Sequence, residues 1–170
     1  VSTLATDKAS AFITFSSNFI ADVDGNGVVA APATAAVQAT EFVGDSKPPL
    51  ATGFTIDMTA GSMEITFEQP VDGSKVEMKQ LQLQSTKDAS NGVAVKLTKK
   101  GTVSQALSVK VSVTFDVTDL NEIKRTALCT KAGGKGSCVL SFSDTFIKDA
   151  AGLTVKAVAA NSALASTNYV

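Results

Sequence analysis

Apolar and polar residues alternate with a period of two along most of residues 51–116. This pattern is typical of strands with one face in a core and the other in water. The clearest run is 107–116, in which Leu, Val and Phe alternate with Ser, Lys, Thr and Asp without a slip. The other runs are marked by Phe54, Ile56 and Met58, by Met63, Ile65 and Phe67, by Leu81 and Leu83, and by Val93, Val95 and Leu97.

One stretch, TDLNEIKRTAL, departs from this alternation. Leu120, Ile123 and Ala127 fall on one helical face, and Asp119 with Glu122 three residues later has the pattern of a helix cap. Residues 70–74 contain Pro70 and are expected to break a strand. Further strands are predicted near 138–143, 153–159 and 163–170, and near 12–15 and 28–43 at the start of the chain. Without these first two, the pattern predicts seven to eight short strands, one short helix and an antiparallel β-sandwich.

The end of the chain repeats its beginning. Residues 138–170 align with 11–43 at a constant offset of 127, without a gap. A self-match of this length indicates a duplicated unit, and the period is long enough for each repeat to form a domain. The identical pairs are Phe15/Phe142, Phe19/Phe146, Ile20/Ile147, Asp22/Asp149, Gly25/Gly152, Val28/Val155, Ala30/Ala157 and Ala36/Ala163.

This arithmetic predicts three parts. Residues 1–43 are the C-terminal part of a preceding repeat, 44–50 (GDSKPPL) are a linker, and 51–170 are a complete repeat. Two successive prolines favour an extended, semi-rigid backbone, which suits a boundary between domains.

Cys129 and Cys138 enclose the Gly-rich loop TKAGGKGS. The offset places Ser2 and Ala11 opposite them, so both cysteines are missing together from the first copy, as expected of a bonded pair. A metal site would need more Cys or His ligands, and the chain has no His. We therefore predict a disulfide, which indicates an oxidising compartment.

Charge and composition restrict the functional classes. A formal net charge of -1 gives no electrostatic reason to bind nucleic acid, and no apolar run is long enough for a membrane span. Without His, a GxSxG turn or a phosphate-binding Gly loop, the sequence predicts no catalytic residues and no cofactor. We do not expect an enzyme.

DVDGNG at 22–27 is the one string that resembles a metal loop. Asp22, Asp24 and Asn26 match the first half of a calcium loop, but Ala33 stands where such a loop requires a bidentate Glu. The matching turn of the second copy, DAAG, keeps only Asp149. We interpret the string as a hairpin turn and keep calcium as the alternative.

Three segments of the complete repeat carry a family resemblance: PPLATGFTIDMTAGSMEITFEQPV, DLNEIK and FIKDAAGLTV. They resemble the Ig-like tandem repeats of very large extracellular proteins, including mastigoneme-like surface and fibre proteins of algae and other protists, and related bacterial repeats. The resemblance covers residues 48–170 and, as a partial copy, 11–43. It implies an Ig-like β-sandwich, a location outside the cell or at its surface, and a mechanical or adhesive role.

Glycan attachment is a further expectation. No Asn begins an N-x-Ser/Thr sequon, so N-linked sugar is excluded. O-linked sugar on Ser or Thr has no such requirement, and the resemblance allows Pro48 and Pro49 to be hydroxylated and glycosylated.

Residues 11–43 provide only the last strands of a sandwich and would expose apolar residues and open sheet edges if left alone. We therefore expect the chain to be a structural subunit of an extracellular filament, joined head to tail to copies of itself by strand sharing or by chain continuation. The alternative is an adhesin-type module that binds carbohydrate or protein. The expected joining residues are Phe12, Phe15, Phe19, Val28, Val37 and Phe42.

Overall fold

The computed structural model describes residues 5–99, 101–104, 106–130 and 138–169. The chain divides into two compact units, Val1–Ser46 (unit 1) and Lys47–Val170 (unit 2). Within the described ranges the structure is mostly β, with two sheets and one α-helix, which confirms the predicted all-β class.

Ten strands and the helix follow the chain in order. The strands of unit 1 are β1 (Phe12–Ile13) and β2 (Val37–Gln38). Those of unit 2 are β3 (Ala51–Asp57), β4 (Ser62–Asp72), β5 (Leu81–Gln84), β6 (Ala94–Lys96), β7 (Thr102–Val103), β8 (Leu107–Thr114), β9 (Val139–Phe142) and β10 (Leu164–Tyr169). The helix α1 is Val117–Arg125, and short 3-10 turns lie at Lys8–Ser10, Ala33–Ala35, Gly73–Lys75, Met78–Gln80 and Ala89–Asn91.

The strands of unit 2 form one curled sheet in the order β6-β5-β9-β10-β3-β4-β8-β7. All neighbours are antiparallel except β10 and β3, which are parallel, with Ser166 opposite Phe54. The expected purely antiparallel arrangement is therefore wrong at this pair. One continuous curled sheet also differs from the expected sandwich, in which two separate sheets face each other.

The inner face of this sheet carries the core of unit 2. Alternate residues of β3 and β4 are buried, as their period of two predicts. In β8, Val111 and Val113 are buried, but Leu107 and Val109 are 51% and 41% exposed, so the predicted core face is wrong for the first half of this strand. Ile123 and Leu120 of α1 pack against the same cluster. The fully buried side chains include Phe54, Ile56, Ile65, Leu81, Leu83, Leu97, Leu140, Phe146 and Ile147.

Pro70 does not end its strand, contrary to the expectation. β4 continues to Asp72, and its register with β8 shifts between Thr66 and Val71. Proline cannot donate a ladder hydrogen bond, so it is tolerated where a bulge interrupts the ladder.

The predicted helix is confirmed, but its expected cap is wrong. Asp116 is the N-cap residue and accepts a hydrogen bond from Thr118 N at 2.8 Å. Asp119 lies inside the helix and is buried. Its carboxylate instead accepts bonds from Thr98 N, Thr98 Oγ1 and Lys99 N, at 3.0, 2.7 and 2.9 Å.

Unit 1 contains less regular structure than predicted. Its two strands pair antiparallel, with Phe12 opposite Gln38 and Ile13 opposite Val37. Outside β2, the strands predicted within 28–43 are reduced to a single bridge at Phe15/Ala31, and a further bridge joins Ala21 and Gly27. The strand expected near 153–159 of unit 2 is likewise reduced to isolated bridges at Thr154 and Val158.

Residues 47–50 pack with unit 2. Lys47 Nζ lies 2.9 Å from Glu68 Oε1, and the carbonyl of Lys47 accepts a bond from Gln69 Nε2 at 2.8 Å. The buried Pro49 accepts a bond from Lys156 N at 2.8 Å. These contacts attach the Pro-Pro segment to the domain that follows it.

Candidate functional site: the open sheet of unit 1

The two copies share one hydrogen-bond pattern at the offset of 127. We call residues 138–166 the closing half of unit 2, and residues 11–39 its copy. Phe15 and Ala31 exchange two backbone bonds at 3.0 and 2.9 Å, and Phe142 and Val158 exchange the equivalent bonds at 3.0 Å each. Ala39 N donates to Ala11 O, as Ser166 N does to Cys138 O. Strands β1 and β2 also pair in the register of β9 and β10.

The turns of the two copies correspond as well. Asp22 N bonds to Asn26 O, and Asp149 N bonds to Leu153 O. Gly25 and Gly152 have φ values of 85° and 90°, a conformation that glycine adopts without the strain of a Cβ. The internal repeat is therefore a repeat of structure as well as of sequence.

The two copies differ in how far their apolar side chains are buried. In the closing half of unit 2, Leu140, Phe146 and Ile147 are fully buried. Their counterparts in unit 1, Ile13, Phe19 and Ile20, are 51%, 65% and 61% exposed. Equivalent backbone thus carries a core face in one unit and a solvent-exposed apolar face in the other.

The first part of unit 2 accounts for this difference. We call residues 47–127 the leading half. Its strand β5 pairs antiparallel with β9, and its strand β3 pairs parallel with β10. Within the described part of unit 1, β1 and β2 pair only with each other. The copy therefore presents two open strand edges, and we call it the open sheet.

The predicted joining residues lie on this open sheet or beside it. Phe12, Phe19 and Val37 are exposed, whereas Phe15, Val28 and Phe42 are half-buried. The rings of Phe15 and Phe19 are 5.4 Å apart between centroids, as Phe142 and Phe146 are at 5.0 Å. A groove of about 510 Å³ runs along Phe12, Ile13 and Val37.

In the calcium alternative Asp22 would be a metal ligand, but its carboxylate already accepts hydrogen bonds within the turn. Asp22 Oδ1 accepts bonds from Asp24 N and Asn26 N at 3.0 and 2.9 Å, and Oδ2 accepts from Asn26 Nδ2 at 3.0 Å. No group of three or more His, Cys, Asp or Glu in the described ranges is placed to hold a metal ion. The geometry is that of a hairpin turn closed by its own side chains.

These bonds give the turn a pH dependence. The side chain of Asn26, followed by backbone donors, holds the pKa of Asp22 below its ordinary value of 3.8. A depressed pKa stabilises the turn above the unfolded value, and this contribution is lost as the pH falls through the folded value. We expect the Asn26 amide resonance to titrate with a midpoint below 3.8 and to lose this titration in Asp22→Asn. A midpoint at or above 3.8 would contradict the role of these bonds.

The two cysteines form the expected disulfide. Cys129 and Cys138 are bonded, with Cα atoms 4.5 Å apart, and both are buried. The loop between them, 131–137, lies outside the described residues. The bond joins the segment after α1 to the first residue before β9, so it attaches the closing half to its own unit.

Removing this bond should destabilise unit 2. Chain-entropy arguments give about 2.5–3 kcal/mol for a loop this short. We expect the double variant Cys129→Ala and Cys138→Ala to lose about that much free energy of unfolding, measured by urea titration. Wild-type protein under reducing conditions is the matched control, and it should lose a similar amount. Unchanged stability in both samples would refute a stabilising role.

The two proline positions differ in access. Pro48 is exposed, whereas Pro49 is buried. A modifying enzyme would reach only Pro48 in the folded chain.

Comparison with known protein families, characterised proteins and solved structures finds no match to this chain. In the described ranges, no helix has the length and apolarity that a membrane crossing requires.

Proposed function

We propose that this chain is a structural segment of an extracellular filament or surface fibre built from β-domain beads in series. One observation carries the proposal: the open sheet of unit 1 repeats the backbone bonds of a half-domain that is buried in unit 2. A half-domain with an exposed apolar face is suited to join one bead to the next, through strand sharing or through continuation of the chain. The proposal assigns no reaction to the chain.

Two further features support a place outside the cell. The disulfide between Cys129 and Cys138 is stable in oxidising compartments and rare in the cytosol. The resemblance to Ig-like tandem repeats of large surface and fibre proteins points the same way, and we extend it to an Ig-like origin of the curled sheet. We assign O-linked sugar to exposed positions such as Pro48 and to surface Ser and Thr.

Electron microscopy of native material tests the proposal. Negatively stained extracellular extracts labelled with an antibody against unit 2 should show filaments decorated at a regular axial interval. Label confined to dispersed single particles would overturn the filament assignment. Specific binding of the chain to individual sugars on a glycan array, without filaments, would favour the adhesin alternative.

A further inference from the structure

Among the described residues, closing halves outnumber leading halves. Unit 2 contains one leading half, and its own closing half fills it. Unit 1 adds a second closing half, residues 11–39. Exchange of strands between copies of this chain does not change that ratio. One closing half per chain stays without a leading half. A filament completed only by copies of these residues would thus leave an apolar half-domain uncovered in every chain.

The backbone of the open sheet has donors at the positions where unit 2 uses them. Lys156 N donates to Pro49 O at 2.8 Å, and Ala163 N donates to Lys87 O at 2.9 Å, so both bonds join the two halves. The counterparts are Val29 N and Ala36 N, which find no backbone acceptor among the described residues of unit 1. At these two positions a leading half would provide the backbone acceptors.

The exposed apolar side chains of unit 1 also indicate a leading half as the partner. Ile13, Phe19 and Ile20 occupy positions that are completely buried in unit 2, in a core cluster that residues of the leading half share. The groove along Phe12, Ile13 and Val37 is apolar and lies on the same strands. Burying apolar side chains of this size against the aliphatic residues of a leading half would be favourable.

A second copy of the chain is a poor source of that leading half. Its own closing half is tied to it by the disulfide at Cys138 and by the fully buried Phe146 and Ile147. The open sheet has Ala11 at the position of Cys138. If it displaced the closing half of a second copy, it could not form the disulfide with Cys129 of that copy. In the alignment Val1 stands opposite Leu128, the first residue after the leading half of unit 2.

We infer that the open sheet of unit 1 binds the leading half of another repeat of this kind, carried by the same polypeptide on the N-terminal side of Val1. A strand of the β3 type then lies parallel to β2, and a strand of the β5 type lies antiparallel to β1. Val29 N and Ala36 N donate to that half as Lys156 N and Ala163 N do in unit 2. This inference rests on the proposed series of beads and specifies how neighbouring beads are completed.

An extended chain tests the inference directly. In this chain residues 47–127 are placed immediately before Val1, which reproduces the offset of 127. Hydrogen exchange followed by NMR is compared between the extended and the original chain. We expect the Val29 and Ala36 amides to exchange on the order of 100-fold more slowly in the extended chain, because they enter a cooperative folded unit. Lys156 and Ala163 serve as internal references that should not change.

A matched variant controls for nonspecific contact. Ile65→Asp, introduced only in the added residues, places a charge in the core position of that half and should abolish the extra protection. Protection that persists in this variant, or no added protection in the extended chain, overturns the inference. Protection of Val29 and Ala36 that rises with the concentration of the original chain also overturns it, because a second copy is then the occupant.

The proposed filament and the proposed completion of unit 1 can be contradicted separately. If native material lacks filaments but the extended chain gains protection, the completion of unit 1 stands and the filament assignment falls. If filaments are seen but the extended chain gains none, the fibre role stands and the beads are completed in another way.

Discussion

Replacing Phe146 by alanine should lower the free energy of unfolding of unit 2 by about 3–5 kcal/mol. Phe146 is fully buried, and its ring lies 5.0 Å from that of Phe142 between centroids. Its backbone carbonyl also accepts a bond from Glu77 N of the leading half at 2.8 Å. Truncation leaves a cavity between the two halves, which the surrounding strands cannot close without breaking their pairing. Urea unfolding followed by circular dichroism measures the loss.

The internal repeat provides a matched control at the same position of the fold. Phe19 makes the equivalent ring contact, at 5.4 Å from Phe15, but its side chain is largely exposed. Phe19→Ala should therefore cost less than about 1.5 kcal/mol, the size of one aromatic pair. Equal losses at Phe19 and Phe146 would mean that the open sheet is already covered in the isolated chain. In the extended chain, Phe19→Ala should become nearly as costly as Phe146→Ala.

Sequence predicted best the features that are encoded locally or copied within the chain. Alternation identified β3, β4 and β8 as strands, and it predicted the buried face correctly for β3 and β4. In β8 it did so for Val111 and Val113 but not for the exposed Leu107 and Val109. The helical spacing of Leu120 and Ile123 identified α1. The joint absence of both cysteines from the first copy identified the disulfide. The same alignment predicts the position of the open sheet from sequence alone.

The features that sequence did not predict depend on distant partners. The parallel pairing of β10 with β3 joins strands at opposite ends of unit 2, and a period of two is the same in parallel and antiparallel strands. Residues 153–159 carry an alternating pattern but form only bridges, since few of their backbone groups meet a continuous neighbouring strand. Pro70 was expected to end a strand, and only the register shift against β8 shows why it does not.

The helix cap shows how a local rule can choose the wrong carboxylate. Asp116 and Asp119 both precede helix-forming residues, and Asp119 has Glu122 in the favourable position. In the fold, Asp116 caps α1 while Asp119 turns inward to the segment between β6 and β7. The sequence of α1 does not predict the inward orientation of Asp119, because the donors on Thr98 and Lys99 lie about twenty residues earlier in the chain.

The inward carboxylate predicts a second large effect. Asp119→Ala would remove the buried carboxylate that accepts from Thr98 N, Thr98 Oγ1 and Lys99 N, two residues that are themselves exposed. At about 1 kcal/mol for each lost hydrogen bond, the variant should lose roughly 3 kcal/mol of unfolding free energy. Asp119→Asn should recover little, because its amide group places a donor where one oxygen now accepts.

Asp116→Ala is the matched control on the same helix. Asp116 accepts one bond, from Thr118 N, at the solvent-facing end of α1, so its loss should be clearly smaller than that at Asp119. Amide exchange at Thr98 and Lys99 separates the two effects, since only the Asp119 variants remove their acceptor. If the two alanine variants lost equal stability and left exchange at Thr98 unchanged, α1 would be held to the sheet by Ile123 and Leu120 alone. The buried carboxylate would then have no part in fixing the segment between β6 and β7.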